Sequence, residues 1–422
     1  MDFFRYVAEH TVPLDTVDPA APFDDLEPLA GRLEAARVIA IGENAHLVRE
    51  FYQLRHRLHR FLAHRLGFTV YAMESGFSEG LAVDAWVRGK RPVDDLQTIA
   101  DDGITYTMGR CGEMRDHLTW MRTATPPVRF FGLDVPGSTA SALPAIEGLR
   151  RYLRPVDPEA EPVLDRLAAL VEKYASEHSL LAYTAYSGLE AAERDGITAT
   201  WAELAARFDA LAPEYRAAAD AQGFAIARHE LRLAVLLDQA MRGYAAQMAS
   251  EGRSPTVHPR VATRDLGMAE TVFWLLDRFG PDVKIIVAAH NSHIQRTPVH
   301  TPAFSVSAAG HHLAAGLGPE YVSIGVTCTG GRTVTHRADP AAPGGVAIVG
   351  TDLAEPEEGS VEASLPAELC VVDLRPARSA GVSGAPDRIR VLDRYQQAPI
   401  VDAFDLMINV PEITPTRQVP AP

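Results

Sequence analysis

Residues 38–57, VIAIGENAHLVREFYQLRHR, decide the fold because they place a strand, a turn and a helix in direct succession. Val38–Ile41 is a short apolar run of the kind that forms a buried parallel strand. Gly42 then permits a tight turn, because glycine tolerates positive φ. Glu43 and His46 follow on the loop, the position where open α/β sheets bind ligands. An amphipathic helix is predicted next from apolar residues at helical spacing: Phe51, Leu54, Leu58, Phe61 and Leu62.

The same arrangement recurs along the chain, where three further strand-like runs each end at an acid or a histidine. The runs are Thr69–Met73 before Glu74, Arg129–Leu133 before Asp134, and Val283–Ala289 before His290 and His293. If these strands are parallel neighbours, their carboxyl ends meet at one edge of the sheet. The pattern predicts a single cleft lined by acids and imidazoles. The competing interpretation is that strand ends lead into polar loops anyway, with Glu43 capping the helix.

Size and composition indicate an ordinary globular protein. The chain has 422 residues, of which 47% are hydrophobic and 23% charged, with a net charge of −15. This negative charge argues against nucleic acid or an anionic membrane as a partner. No apolar run approaches the ~18 residues of a membrane span, and the N-terminus lacks the pattern of an export signal. Three widely spaced cysteines favour a reduced, cytoplasmic protein without disulfides.

The predicted fold is α/β, with a three-layer core around a mostly parallel sheet. Residues 1–140 form the first part of the core. Residues 141–255 lose the strand pattern and become rich in Ala, Leu, Glu and Arg, which predicts a helical cap domain. Residues 256–422 return to strands and form the second part of the core and a C-terminal α/β portion. The last ten residues or so are predicted to be a loose tail.

Three common catalytic motifs are absent, namely GxxxxGK[ST], HExxH and a GxGxxG after the first strand, whereas the pattern GxSxG occurs once, as GFSEG at residues 76–80. What remains is an acid-rich site with imidazoles and no evident nucleophile. Such a site favours direct activation of water by a histidine that a carboxylate orients. Two histidines and two or three carboxylates would also permit a divalent metal.

Blocks spread over nearly the whole chain resemble, in order and spacing, the erythromycin esterase family, which also contains succinoglycan-biosynthesis-like proteins. The blocks are GENAHLVREFYQLRHRLHRFL (42–62), YAMESGFSEG (71–80), FFGLDV (130–135), VATRDLGMAETVFWLL (261–276), AAHNSHI (288–294), HHLAAGLGPEYVSIG (311–325), VVDLRP (371–376) and FDLMINV (404–410). The resemblance implies a hydrolase that opens a macrolactone of a bulky polyketide-like substrate without metal or cofactor.

The resemblance also implies roles for individual residues. His46 would activate water, and Arg55 would stabilise the oxyanion. Glu43, Glu74 and His290 would position these groups and the substrate. The remaining candidates are assigned to substrate binding: His293 of the H-N-x-H motif, Asp134 at its strand end, Tyr106 as a pocket aromatic, and Arg264 at a helix start. The neighbouring Asp265 suits the helix dipole and receives no catalytic role.

The first motif departs from its commoner form, which has threonine before the histidine and glycine after it. Here these residues are Ala45 and Leu47, and Leu47 is expected either to reshape the pocket or to dry it. Three other functions therefore stay open. They are a tailoring enzyme for cyclisation, elimination or isomerisation, a metal-dependent hydrolase, and a protein that sequesters its ligand. The expected partner is a large lactone, and the oligomeric state is left open.

Overall fold

The strand predicted at the start of the first motif lies at the centre of the fold. A computed structural model describes residues 1–218, 221–249, 258–260, 262–300, 304–339, 341–342 and 345–419. Its strands are β1 Thr11–Pro13, β2 Val38–Ile41, β3 Val70–Gly76, β4 Arg129–Asp134, β5 His258–Arg260, β6 Ile285–Ala288, β7 Val299–His300, β8 Phe304–Val306, β9 Tyr321–Ala338, β10 Val346–Asp352, β11 Cys370–Asp373, β12 Arg388–Val391, β13 Arg394–Gln397 and β14 Leu406–Ile413.

Helices occupy much of the remaining chain, and none of those described is both long and apolar enough to cross a membrane. The α-helices are α1 Phe3–His10, α2 Glu27–Leu33, α3 Arg49–Leu66, α4 Phe77–Val87, α5 Leu96–Gly103, α6 Gly112–Thr123, α7 Leu143–Val156, α8 Glu161–Val171, α9 Ser179–Ser187, α10 Ala191–Ala210, α11 Ala212–Ala218, α12 Ala221–Ala249, α13 Thr263–Phe279, α14 Asn291–Ile294, α15 Ala309–Leu317, α16 Val361–Ser364, α17 Arg375–Ala380 and α18 Ile400–Ala403. Short 3₁₀ turns lie at Val93–Asp95, Met108–Arg110, Pro136–Thr139, Pro158–Ala160 and Gly318–Glu320.

Within the described residues, the central sheet has nine strands in the order β1-β11-β14-β9-β2-β6-β3-β4, with β10 paired to β9. The strands from β14 to β4 are all parallel to their neighbours, whereas β11 and β10 pair antiparallel. The sheet is mixed and mostly parallel, and the predicted α/β class is confirmed.

The sheet is covered on both faces, which explains why its central strands are apolar throughout. Val38 and Ala40 of β2 face one hydrophobic cluster, which also contains residues of α13. Ile39 and Ile41 face the other, together with residues of α3 and α6. Because successive strand residues point to opposite faces, a strand buried on both sides has no polar alternation. The result is three layers, with helices on either side of the sheet.

The segment predicted as a helical cap contains helices α7 to α12. Its apolar residues, among them Leu149, Trp201 and Leu237, belong to the same hydrophobic cluster as one face of the sheet. The proposed boundary at residue 255 lies outside the described residues. The division into separate domains stays a prediction.

The C-terminal tail was expected to be loose, and for residues up to 419 this expectation is wrong. The backbone carbonyl of Thr414 accepts the Arg49 N–H at 2.9 Å, and that of Arg417 accepts the Gly112 N–H at 2.8 Å. Arg49 and Gly112 are the first residues of α3 and α6. First-turn N–H groups lack partners within their own helix, so the tail supplies the acceptors and is thereby fixed.

Candidate active site

The register of the sheet brings the strand-end residues to one level. Ile41 of β2 and Met73 of β3 both pair with Ala288 of β6, which lies between the two strands. The polar residues that follow these strand ends therefore meet, and the ring centroids of His46 and His290 are 6.0 Å apart. The structure gathers every sequence-predicted site residue around this point. Their catalytic roles stay predictions.

Glycine is needed at position 42 for a different reason from the one expected. Its φ is not positive, but a Cβ there would collide with the side-chain oxygen of Asn291. Asn291 in turn donates its side-chain N–H to the Val326 carbonyl at 2.7 Å. Close packing of the first loop against the start of α14 therefore requires the glycine.

His46 and Glu43 form a hydrogen-bonded pair on the loop after β2. Nδ1 of His46 lies 2.7 Å from Glu43 Oε1, and because an ionised carboxylate only accepts, the Nδ1–H donates. In the neutral ring Nε2 carries the lone pair, and this atom lies 3.8 Å from Glu74 Oε1. The His46 side chain is 21% exposed, whereas that of Glu43 is 1% exposed. The arrangement is a buried carboxylate that orients an accessible imidazole.

The pKa of His46 is raised above its ordinary value. Burial lowers it, but the negative charges of Glu74 and Glu43 outweigh this effect. The pKa of Glu43 is lowered, because Arg55 and His46 outweigh the effect of burial. Opposite charges at hydrogen-bond distance favour the ionised form of both groups. His46 must lose its proton before it can act as a base, so its activity as a base increases with pH.

Leu47 occupies the position where the commoner motif has glycine, and its φ is +58°. A leucine in this region of backbone space costs on the order of 1–3 kcal/mol. The side chain is 1% exposed and packs in the hydrophobic cluster beneath α3. The Leu47 carbonyl accepts the Thr416 N–H at 2.9 Å, which helps to hold this backbone conformation. Leu47 is not among the described residues that line the large cleft beside His46, and the expectation that it reshapes or dries the pocket stays a prediction.

Arg55 lies behind Glu43 instead of beside the cleft. Its Nη2 is 3.1 Å from Glu43 Oε1 and 3.1 Å from the Ala289 carbonyl oxygen. The side chain is only 2% exposed. The predicted role in stabilising an oxyanion stays a prediction, and the contact that the structure shows for Arg55 is the one with Glu43. Arg55 compensates the charge of Glu43 and ties it to the end of the β6 segment.

Glu74 is a buried carboxylate that three cationic or polar groups of the site contact. Its Oε1 accepts from Arg264 Nη2 at 3.0 Å and lies 3.3 Å from His293 Nε2. Its Oε2 accepts the backbone N–H of His290 at 2.8 Å. Burial raises the pKa of Glu74, but His293, His46 and Arg264 outweigh it and hold the pKa well below the ordinary value. Glu74 therefore stays ionised.

Asp134 is fully buried at the end of β4, and its assignment to substrate binding stays a prediction. Its Oδ2 accepts from Arg264 Nη2 at 2.7 Å, and its Oδ1 accepts the Val135 N–H at 2.8 Å. Arg264 also lies 5.9 Å from the centre of the Tyr106 ring and has a side chain that is 20% exposed. Asp134 thus fixes Arg264, and Arg264 is the group that remains accessible.

His290 is held as a neutral ring at the start of α14. Its Nδ1 accepts the Ser292 N–H at 3.2 Å, so the proton is on Nε2, which donates to the Asn44 carbonyl oxygen at 3.1 Å. Burial and the neighbouring His46 lower the pKa of His290 to about 4. The ring therefore links the H-N-x-H motif to the loop that carries His46.

Asp265 is a site residue that sequence reasoning assigned only to a helix dipole. Its Oδ1 lies 2.8 Å from His293 Nδ1, on the side of the ring opposite Glu74. The signal available in the sequence was its position directly after Arg264 at a helix start. The direction of its side chain toward His293 was not encoded in that pattern.

A cleft of about 930 Å³ opens beside His46. Its described lining residues are His46, His300, Val334, Thr335, Arg337, Val391, Leu392, Asp393, Arg394, Tyr395, Gln396 and Gln397. These belong to the loop after β2, to β7, to β9 and to the β12–β13 hairpin. None of the described lining residues comes from helices α7 to α12, so the expected helical cover does not form these walls.

The hairpin and Tyr106 both contact the His46 loop. Leu392, at the hairpin tip with a φ of +57°, donates its N–H to the Asn44 carbonyl oxygen at 2.9 Å. The Tyr106 ring stacks on that of His46 with centroids 5.8 Å apart, and its hydroxyl donates to the Ser138 carbonyl oxygen at 2.9 Å. Tyr106 also lines a neighbouring cavity of about 500 Å³.

Across the described part of the chain, no group of three His, Cys, Asp or Glu side chains is arranged to hold a metal ion. The acidic groups of the site bind cationic side chains instead, with Arg55 on Glu43 and Arg264 on Glu74 and Asp134.

Comparison with known proteins gives concordant results for sequence and fold. The family model of erythromycin esterase matches residues 63–413. Erythromycin esterase type II of Escherichia coli is 29% identical over 420 residues, covering 97% of each chain. Erythromycin esterase type I of Escherichia coli is 26% identical over 343 residues, covering 81% of this chain and 82% of its own. The solved structure of a mutant of the erythromycin esterase EreC in its open conformation has a TM-score of 0.82 at 21% identity, covering 98% of this chain and 99% of its own.

Proposed function

This chain belongs to the erythromycin esterase family and is an esterase-type hydrolase, and we propose that it opens the ring of a large lactone with water activated by His46. The observation that carries the proposal is the Glu43–His46 pair, 2.7 Å apart, at the wall of a cleft of about 930 Å³. This volume lies near the upper end of the range for small-molecule sites, ~300–1,000 Å³, and suits a bulky ring.

In the proposed reaction, the lone pair of His46 Nε2 takes a proton from water as the water oxygen attacks the lactone carbonyl carbon. Glu43 stabilises the imidazolium that forms, because its carboxylate accepts the Nδ1–H. His46 then returns the proton to the leaving alkoxide oxygen as the ring C–O bond breaks. The product is the open-chain hydroxy acid, which contains the atoms of the substrate plus one water.

The developing oxyanion needs a cation, and Arg264 is a better candidate than Arg55. The Arg264 side chain is 20% exposed, compared with 2% for Arg55. Nε and Nη2 of Arg264 bind Asp134 and Glu74, whereas the contact described for Nη1 is His293 Nε2 at 3.5 Å. A donor that carboxylates already hold in place needs little reorganisation when charge develops.

The experiment is to incubate the purified protein with a panel of macrolides and other large lactones in ¹⁸O-labelled water. We expect a product heavier than the substrate by one labelled water, and no product with His46→Ala. A product of unchanged mass would point to isomerisation or cyclisation, and loss of a group would point to elimination. Tight binding without any product would point to a protein that sequesters its ligand. Each of these outcomes contradicts ring opening.

A further inference from the structure

We propose that Asp265 is a positioning residue that keeps His293 doubly protonated, so that the charge of Glu74 is balanced and His46 can release its proton. The inference rests on the proposed function, because it assigns His46 as the base. It concerns a residue at the start of α13 whose side chain does not contact the base itself. Its effect passes through two intervening groups, His293 and Glu74.

The geometry of His293 is that of an imidazolium. Nδ1 lies 2.8 Å from Asp265 Oδ1, and Nε2 lies 3.3 Å from Glu74 Oε1. Ionised carboxylates only accept hydrogen bonds, so Nδ1 donates to Asp265, and a proton on Nε2 makes the ion pair with Glu74 favourable. A neutral ring has one N–H and would leave one carboxylate facing a lone pair.

The charges that face His293 from the surrounding elements favour the same state. Glu74 of β3 and Asp265 of α13 are negative, whereas Arg264 of α13, 3.5 Å away, is positive. His290, on the loop after β6, is neutral. Burial lowers the pKa of His293, but Asp265 and Glu74 outweigh it and raise the pKa to about 10. The ring stays charged throughout the neutral range.

Asp265 is itself fixed by a second contact. Its Oδ1 also accepts the backbone N–H of Ala309 at 3.0 Å, at the start of α15. The Asp265 side chain is 13% exposed, so water competes little with these two bonds. The carboxylate is therefore held in one orientation against His293 by its own helix and by the neighbouring one.

The consequence for His46 follows from the position of Glu74. Glu74 Oε1 is 3.8 Å from His46 Nε2, and its negative charge is a main cause of the raised pKa of His46. Glu43 acts in the same direction, whereas Arg55 opposes it. The positive charge on His293 offsets part of the field of Glu74. If His293 became neutral, the proton on His46 would be held more tightly.

The first test reads the protonation of His293 directly, independently of activity. The ring nitrogens are observed by ¹⁵N NMR during a pH titration of wild type, Asp265→Asn and Asp265→Glu. Asparagine keeps an oxygen for the Ala309 N–H but removes the charge. We expect His293 to stay doubly protonated across the neutral range in wild type and Asp265→Glu, and to titrate there in Asp265→Asn. An unchanged titration in Asp265→Asn would overturn the proposal.

The second test is the pH dependence of kcat/KM with the same variants. We expect the acid limb of Asp265→Asn to move up by about one pH unit, with about tenfold lower activity below that limb and recovery at alkaline pH. Glu270→Gln is the matched control, because Glu270 is on the same helix but lies away from the site. Its carboxylate is 2.7 Å from the Arg232 guanidinium. It should leave both the profile and the titration unchanged.

The outcomes separate the two proposals. An equal loss of activity at every pH in Asp265→Asn would indicate a merely structural role and overturn this inference, while leaving His46 as the base. If wild type hydrolysed no lactone at all, the proposed function would fail. The NMR titration would then still decide whether Asp265 keeps His293 protonated.

Discussion

Two regions meet at His46 and are built in opposite ways. The strand-end cluster, comprising Glu43, His46, Glu74, His290 and His293, consists of buried or half-buried groups with several polar contacts each. The cleft wall, comprising the β12–β13 hairpin and the facing part of β9, presents more accessible side chains, such as Arg394 with 89% exposure. We therefore expect the reaction to depend on the paired buried charges of the strand-end cluster, and the shape of the cleft to depend on the side chains of the cleft wall.

The two regions also differ in how much a substitution should cost. Removing one partner of a buried ion pair leaves an uncompensated charge and costs about 3–5 kcal/mol. Substitution of an exposed side chain away from such features usually changes stability by no more than about 0.5 kcal/mol. We therefore expect changes in the cluster to affect turnover and stability, and changes in the wall to affect substrate affinity.

The largest effect is expected for His46→Ala, which removes the base from the cluster. We expect kcat to fall by ~10²–10⁴-fold or more, with a smaller change in substrate affinity. The unfolding temperature serves as the control, because it separates the loss of the base from any loss of stability when Glu43 loses its partner. Activity close to wild type in a folded variant would eliminate His46 as the base.

Arg55→Met tests whether Arg55 supports Glu43 or reaches the substrate. Because the guanidinium is 2% exposed and 3.1 Å from Glu43, we expect loss of about 3–5 kcal/mol of unfolding free energy together with lower kcat. Chemical denaturation and steady-state kinetics measure the two effects. Arg55→Lys, which keeps a charge, should recover part of both. A large loss of kcat at unchanged stability would support the predicted role of Arg55 in stabilising the oxyanion.

On the cleft wall, Tyr395→Ala should raise KM with little change in kcat. Its ring lies 5.1 Å from the Arg390 guanidinium and forms part of the lining. Loss of an aromatic contact area corresponds to about 1 kcal/mol, or several-fold in KM. Tyr395→Phe keeps the ring and serves as the control, with kinetics near wild type. A selective fall in kcat would mean that the wall takes part in the chemistry.

Exhaustive chelation is expected to leave the activity unchanged, the smallest effect among these predictions. The carboxylates of the cluster are bound by arginine and histidine side chains, and Arg264 next to Glu74 would oppose a dication. Activity before and after chelation, together with metal analysis of the purified protein, measures this. Activity that is lost and then restored by one specific ion would show that the cluster binds a metal.

The sequence by itself determined the strand-end cluster, because its signal is short-range. An apolar run of a few residues predicts a buried strand, and the residue that follows it is necessarily at the strand end. Glu43, Glu74 and His290 could be placed in this way without knowledge of the sheet order. The α/β class could also be predicted, because the strand Val38–Ile41 has no polar alternation, which is typical of a strand buried on both faces.

Only the tertiary structure decided which way each side chain points and what it meets. Arg55 faces Glu43 from the helix that directly follows it, whereas Asp134 faces Arg264 and Asp265 faces His293 across elements that are not adjacent in the chain. Leu392 of the cleft wall donates its backbone N–H to the Asn44 carbonyl oxygen, from the opposite part of the chain. Such pairings follow from β6 lying between β2 and β3 and from the packing of helices on the sheet. They depend on contacts between remote segments, and a local pattern of apolar and polar residues carries no information about those contacts.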